Sequence, residues 1–361
     1  MQIKFSHQNN AQFFVTLRQR VDAYFKEQNI SPNANGFMVF KTILLLVSFY
    51  SIYATILFAT INAWLLLLLC ALLGLFTAFV GFNVSHDATH GSYSSNSKIN
   101  KLLSYTFDMF GASSYMWNIA HNQVHHTYTN IPDHDDDLEP IFLVRLHEEK
   151  KLYWIHRFQH YYATFFYCIA SLNWVLLKDY TKMFAPAILN HSIKKIALKD
   201  AAILIACKCV YYFMFLVLPM LLGYAWWQVV IGFLVLHFAE GFTIAIVFQL
   251  AHVVEATHFP IPNADGTVEN NWAVHQLYTT ANFARKSWLA TFFFGGLNYQ
   301  VEHHLFPRVC HVHYRKISEI VKATSQEFDI PYNDYKTMWQ AIQSHYRMLK
   351  LLGRNERLNF A

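Results

Sequence analysis

Residues 42–86, TILLLVSFYSIYATILFATINAWLLLLLCALLGLFTAFVGFNVSH, run for 45 positions without a charged side chain. An α-helix needs about 20 residues to cross the roughly 30 Å hydrocarbon layer of a bilayer, so this stretch is long enough to cross twice. It reads as a helical hairpin over about residues 40–84, turning near Asn62. A second such stretch, residues 201–254, is interrupted by Lys208 and Glu240 alone, and Pro219 and Gly223 mark a turn near its middle. It reads as a second hairpin over about residues 200–252. The composition agrees: of 361 residues, 54% are hydrophobic, 17% aromatic and 14% charged, which excludes an ordinary soluble domain. The expected fold is an all-α integral membrane protein, four transmembrane helices in two hairpins with a helical cap, forming a single domain across residues 1–361.

Neither turn carries Lys or Arg, whereas Lys4, Arg18, Arg20 and Lys26 precede the first hairpin and the last third of the chain is rich in both. The positive-inside rule then puts both termini, and the cytosolic or interfacial segments 85–199 and 253–361, in the cytosol. The formal net charge of +5 suits anionic membrane lipids or an acidic protein partner; no nucleic-acid module is visible. No basic-then-apolar run with a small-residue cleavage site opens the sequence, so no removable signal peptide is expected. Cys70, Cys168, Cys207, Cys209 and Cys310 form no CxxC pair and read as reduced and structural.

Residues 158–177 are also uncharged, but Gln159, His160, Tyr161, Tyr162, Thr164, Ser171, Asn173 and Trp174 make them wetter than the hairpins. An aromatic, amphipathic run of this kind is expected to lie in the interface and not to cross. Residues 12–25 and 332–352 read as amphipathic helices on the cytosolic side. Lys208 and Glu240 fall about 13 residues before and 19 after a turn near Leu221, so their depths differ by only about 9 Å and they are expected to pair. A role for the two in an acyl tunnel is the sharper alternative.

Twenty histidines are present, and three clusters of them have ligand spacing. In His86-Asp87-Ala88-Thr89-His90 the i, i+4 pair shares one helical face where the second span leaves the membrane. In His121-Asn122-Gln123-Val124-His125-His126 the first two histidines share a face and His126 is turned about 100° from His125, so the cluster can address two neighbouring metals. The third is Gln300-Val301-Glu302-His303-His304. Any one pair is more often a solvated face than a site; seven histidines converging on one side of the membrane are not. His252 lies about 26 residues past the second turn, some 39 Å along a helix, and emerges at nearly the height of His86; it either joins the set or is an ordinary interfacial histidine. Eight imidazoles are too many for one four-coordinate zinc and suit a pair of irons.

The motifs HDATH, HNQVHH and QVEHH resemble the three histidine boxes of the membrane fatty acid desaturases, and the likeness extends over about residues 40–325. The glutamine that opens the third box, in NYQVEHHLFP (298–307), is similar to the front-end branch, which includes linoleoyl-CoA-type Δ6 and Δ5 enzymes. The resemblance implies a cytosolic cap holding a non-haem centre of two Fe, and O2-dependent insertion of a cis double bond into an acyl-CoA or acyl-lipid chain. It carries the ligand role to His86, His90, His121, His125, His126, His303 and His304, with His252 matching the further histidine that related enzymes supply from the fourth span. Many front-end members carry a cytochrome b5 domain with an HPGG motif, which does not occur in this sequence. A carboxamide is a poor iron ligand, so Gln300 is read as close to the metal through water. Asp87, Glu302 and the run Asp133, Asp135, Asp136 and Asp137 are candidates to accept the second ring N–H of a ligating imidazole, the alternative for the run being a solvated loop.

No side chain is basic enough to take a proton from an alkyl methylene, so the chemistry demands an iron and oxygen oxidant and a straight apolar channel. With no haem motif, no iron–sulfur cysteine set and no GxGxxG fingerprint, the electrons must come from outside. A ferredoxin or cytochrome b5-like donor with its reductase is expected on a basic cytosolic surface that includes some of Arg308, Arg315, Lys316 and Lys322, charges that otherwise face anionic lipid. Two other readings stay open at this point. One is a diiron fatty acyl or sphingolipid hydroxylase; the other is a histidine-rich membrane metal transporter, for which Lys208 and Glu240 make a thin polar path.

Overall fold

The computed structural model describes residues 3–6, 10–139, 141–193 and 195–356. Met1 and Gln2, which open the stretch read for a signal peptide, lie outside them. The chain is mostly helical, its main helices being, in order, α1 (Ala11–Glu27), α2 (Gly36–Phe58), α3 (Ala63–His90), α4 (Ser97–Met109), α5 (114–128), α6 (Gln159–Cys168), α7 (Leu198–Leu221), α8 (Trp226–His252), α9 (Trp272–Thr279), α10 (Gln300–Leu305), α11 (Tyr314–Glu327) and α12 (Met338–Arg354). Three short strand pairs tie connecting segments together: Lys4–Phe5 with Thr267–Val268, Ala187–Ile188 with His191–Ser192, and Asn282–Phe283 with Asp334–Tyr335.

Among the described residues, four helices are long and apolar enough to cross a membrane, namely α2, α3, α7 and α8. Their outward faces are predominantly apolar, with Phe40, Val47, Trp64, Leu68, Val210, Leu221 and Trp226 exposed, as lipid-facing surfaces require. Asn35 and Asn62 cap α2 and α3, their side chains accepting from the backbone N–H groups of Met38 and Leu65. The connections, residues 59–62 and 222–225, fall where the sequence places its turns. The two central spans approach closely: a Cβ at Gly74 of α3 would lie 2.1 Å from the Leu236 carbonyl oxygen of α8. Only glycine permits that contact.

Residues 158–177 do not form one long helix. The helical segment Gln159–Cys168 ends at Ile169, a short turn covers Ala170–Asn173, and a widened turn follows at Trp174–Lys178. One face is seated on α8, where a Cβ at Gly241 would lie 2.6 Å from the Cys168 carbonyl, while Tyr161, Phe165, Leu176 and Leu177 are exposed on the other.

Helix α1 buries Phe13, Leu17, Val21 and Phe25, one residue per turn, against α11, and Arg20 closes the seam with a two-pronged ion pair to Glu327 at 2.7 and 2.8 Å. The C-terminal amphipathic helix starts at Met338 and not near Tyr332, because Asp334–Tyr335 extends to pair with Asn282–Phe283 and Thr337 supplies the cap. The expected pair of Lys208 and Glu240 is not made. Lys208 forms an ion pair with a carboxylate oxygen of Asp179 at 2.8 Å, and Glu240 stands 3.1 Å from Nδ1 of His237, one turn earlier on its own helix. The segment that continues from Trp174–Lys178 brings Asp179 nearer to Lys208 than α8 brings Glu240.

Candidate metal centre

The first cluster sits on the last turn of α3, directly after the helix widens into a π turn at Gly81–Ser85. Gly91, at φ +73°, ends the helix. The second cluster occupies α5, whose middle, Asn118–His125, is again a π segment. Such widened turns recur at functional sites because they re-aim side chains that an unbroken α-helix would send elsewhere. The third lies on the single short helix α10. It reaches the first cluster because Gly295 and Gly296, both at positive φ, let the preceding loop press onto α3, where a Cβ at Gly295 would lie 2.3 Å from the Phe82 carbonyl oxygen. His252 ends α8, and Asn130 fastens that end to the second cluster by donating to the His252 carbonyl at 2.8 Å.

These elements bring all eight sequence-predicted histidines into one buried cluster. Ring centroids are 4.5 Å apart for His86 and His303, 4.7 Å for His90 and His126, 4.7 Å for His125 and His252, and 4.3 Å for His126 and His304. Donor atoms of His86, His90, His121 and His303 all lie within 4.8 Å of one another, and so do those of His125, His252 and His304, and of His126, His303 and His304. Every one of the eight has at least one buried ring nitrogen without a hydrogen-bond partner among the described residues. A single orphan of that kind costs about 1–3 kcal/mol, so eight facing inward make an unstable core unless something else satisfies them. Burial, aided by the neighbouring rings, holds His121, His126, His303 and His304 well below the usual imidazole range, leaving them neutral with a lone pair to give. Neutral imidazoles in this number fit metal ions, and more than one.

Some of the outer partners come from residues that carry no signal in the sequence. Nδ1 of His304 donates to the Gln276 side-chain oxygen at 2.8 Å, Nδ1 of His252 to the Thr279 carbonyl at 3.3 Å, and Nδ1 of His303 stands 3.3 Å from the Tyr314 hydroxyl. Of the acidic run, Asp135 is buried and holds Nδ1 of His125 at 3.0 Å through both oxygens. Burial alone would lower His125, but the Asp135 carboxylate outweighs it and holds the ring up at about 9. Asp137 stands 3.5 Å from the same nitrogen, Asp136 binds Lys178 and Lys182 at 2.9 and 2.5 Å, and the Asp133 carbonyl accepts from Asn190.

Asp87 and Glu302 are directed away from the cluster imidazoles. Asp87 accepts from His311 Nδ1 at 2.8 Å and from the Cys310 thiol at 3.1 Å, while His86 Nδ1 is 3.9 Å off, beyond hydrogen-bond range. Buried Lys41 completes that group, its Nζ 3.0 Å from His311 Nε2. Glu302 accepts from Asn282 at 2.9 Å and Tyr332 at 2.8 Å, and burial pushes it up to about 7. The helix geometry explains both: Asp87 follows His86 and Glu302 precedes His303, and adjacent helical positions point about 100° apart. Gln300 is fully buried, and neither of its amide atoms has a partner among the described residues. Trp117 packs flat on His121 at 4.4 Å and on Trp174 at 5.0 Å, with Phe248 edge-on to His121 at 5.9 Å, so one side of the cluster is an aromatic wall.

Comparison with known proteins agrees with this architecture. The fatty acid desaturase family matches residues 62–336. The sn-1 linoleoyl-lipid 6-desaturase of Synechocystis sp. (strain ATCC 27184 / PCC 6803 / Kazusa) is 38% identical over 353 residues, covering 98% of each chain. The enzyme of the same name from Arthrospira platensis is 37% identical over 94% of this chain and 92% of its own. An acyl-lipid (8-3)-desaturase from Physcomitrium patens is 34% identical over 98% of this chain and 74% of its own. With three histidine clusters converging as described and likeness along nearly its whole length, the chain belongs to the fatty acid desaturase family.

Proposed function

We propose that His86, His90, His121, His125, His126, His252, His303 and His304 hold two irons, and that this front-end desaturase places its cis double bond in an acyl chain carried by a membrane lipid. The observation that carries the metal reading is the set of buried, partnerless ring nitrogens facing one another. The lipid carrier and a bond at carbon 6 are supported by the names of the cyanobacterial relatives; acyl-CoA is the carrier to test against. Held by these histidines, two irons would supply the oxidant that removes two hydrogens from unactivated methylenes as O2 is reduced to water, the two further electrons this requires coming from an external donor; side-chain acids and bases cannot supply this chemistry.

The chain's own part is to hold and to exclude. Burial keeps His121, His126, His303 and His304 neutral, Asp135 and Gln276 orient His125 and His304, and Gln300 adds a buried neutral amide to the third cluster. The wall of Trp117 and Phe248 keeps water from the cluster and gives an alkyl chain an apolar surface to lie against. The distribution of Lys and Arg supports a single domain of two hairpins with both termini and the cap, residues 85–199 and 253–361, on the cytosolic side. Exposed Arg308, Arg315 and Lys316, with half-buried Lys322, form a basic surface suited to a ferredoxin or cytochrome b5-like donor served by its own reductase.

The test is fatty-acid analysis, by lipid class, of an expressing host fed stearate, oleate or linoleate. New cis double bonds at carbon 6 in glycerolipids support the reading. Alcohols in place of alkenes would refute it, and alkenes confined to the acyl-CoA pool would reassign the carrier.

A further inference from the structure

We propose that the two iron positions are unequal, and that Asp135 and Gln276 are positioning residues for one of them alone. This rests on the two-iron reading above. The ligand histidines divide into a group of four, His86, His90, His121 and His303, and a group of three, His125, His252 and His304. His126 stands between them, its Nε2 3.2 Å from that of His121 and its donors also within reach of His303 and His304.

In the group of three, every outer ring nitrogen is tied. Nδ1 of His125 is held by the Asp135 carboxylate at 3.0 Å, Nδ1 of His304 by the Gln276 oxygen at 2.8 Å, and Nδ1 of His252 by the Thr279 carbonyl at 3.3 Å. Those acceptors fix a proton on Nδ1 and make Nε2 the ligating nitrogen, and the three Nε2 atoms are the ones with no partner. Gln276 does more than orient one ring: its oxygen also accepts from Thr129 at 2.9 Å, and its amide donates to the His126 carbonyl at 3.3 Å. A single carboxamide thereby locks the second cluster's backbone to the third cluster's imidazole.

The group of four is held differently. Neither ring nitrogen of His86 has a hydrogen bond among the described residues, nor has Nδ1 of His121, and His303 is tied at 3.3 Å to a neutral hydroxyl, so no carboxylate or carboxamide backs these three rings. One position therefore relies on the number of its imidazoles. The other, with fewer, relies on their orientation and on a buried anion behind one of them.

Losing an outer partner of a ligating histidine typically weakens metal binding about 10- to 100-fold. In the purified full-length enzyme, iron per chain measured during graded chelation should fall in two phases for the wild type. Asp135→Asn and Gln276→Leu should retain about one iron under conditions where the wild type holds two, and Gln276→Glu, which keeps an acceptor, should restore the second. Asp136→Asn, in the same loop but bonded to lysines, should keep both. Variants that hold two irons as firmly as the wild type, or that lose both together while melting normally, overturn the proposal. Wild-type 57Fe Mössbauer spectra test it without any substitution: two doublets of equal area are expected, and one doublet overturns it. A wild type that never exceeds one iron per chain would instead sink the two-iron reading.

Discussion

Replacing Gly74 with alanine should disable the enzyme from a distance. The missing Cβ would fall 2.1 Å from the Leu236 carbonyl oxygen, 2.9 Å from its carbonyl carbon and 3.2 Å from the Ala239 Cβ, so the obstruction is helix backbone that cannot swing aside. Reaching ordinary contact requires α3 and α8 to part by roughly 1.3 Å at that level. Gly74 lies twelve residues before His86 and Leu236 sixteen before His252, so the contact sits about 18–24 Å along each helix from the histidine it carries. Overpacking of this type costs about 1–3 kcal/mol, which a large membrane protein survives. The catalytic loss should be far greater, because an error of about 1 Å in a reacting centre can cost 100-fold in rate. Product formation in an expressing host and iron per purified chain are the two assays, with thermal melting as the control for folding. We expect Gly74→Ala to melt a few degrees lower, to lose desaturation at least tenfold and to hold less iron. Wild-type iron and wild-type product would refute the idea that this close approach sets the distance between His86 and His252.

Lys208→Met should destabilise the protein by about 3–5 kcal/mol, because it strands the buried Asp179 carboxylate, and Lys208→Met with Asp179→Asn should recover most of the loss; equal melting of single and double variants would contradict this. Burial pushes the Asp108 carboxyl up to about 6, above its ordinary value of 3.8, so ionising it opposes folding as pH rises through that interval. Asp108→Asn should therefore raise stability at pH 8, by at most about 3 kcal/mol at 1.36 kcal/mol per pH decade, and leave it unchanged below about pH 4. A gain that is independent of pH would point to packing and not to charge. Reversing Arg315 and Lys316 to glutamate should slow donor-driven turnover several-fold at low salt and converge with the wild type at high salt; identical salt curves would remove the basic surface as the docking site.

The histidine cluster was legible in the sequence because helical spacing of 3 and 4 residues is a local property, and the ends of two long apolar stretches put His86 and His252 at nearly the same height. Its supports were not. Gln276 and Thr279 lie on a short helix that no periodicity announces, and they meet His304 and His252 only after the chain has folded back across more than twenty residues. Asp135 was in view as one of four acidic residues, but nothing in the run distinguishes it from Asp136, whose partners Lys178 and Lys182 come from another segment. Lys208 illustrates the same limit. Depth along two helices suggested Glu240, whereas Asp179 arrives from the segment that starts at Gln159, whose break at Ile169 is marked by neither proline nor glycine.

The π turns ahead of the first two clusters have a consequence for how this sequence can vary. A widened turn carries one residue more than an α-helix of the same span, and removing or adding one residue rotates everything beyond it by about 100°. A single deletion within Gly81–Ser85 would leave a continuous helix and both histidines of the first cluster at their spacing, yet turn their imidazoles toward lipid or core, and one within Asn118–His125, which holds His121 and His125, would re-aim the second cluster. Related sequences should accordingly change length in the connections at residues 59–62 and 222–225, where nothing downstream is aimed, and keep a fixed count of residues through these two turns even where the residues themselves differ.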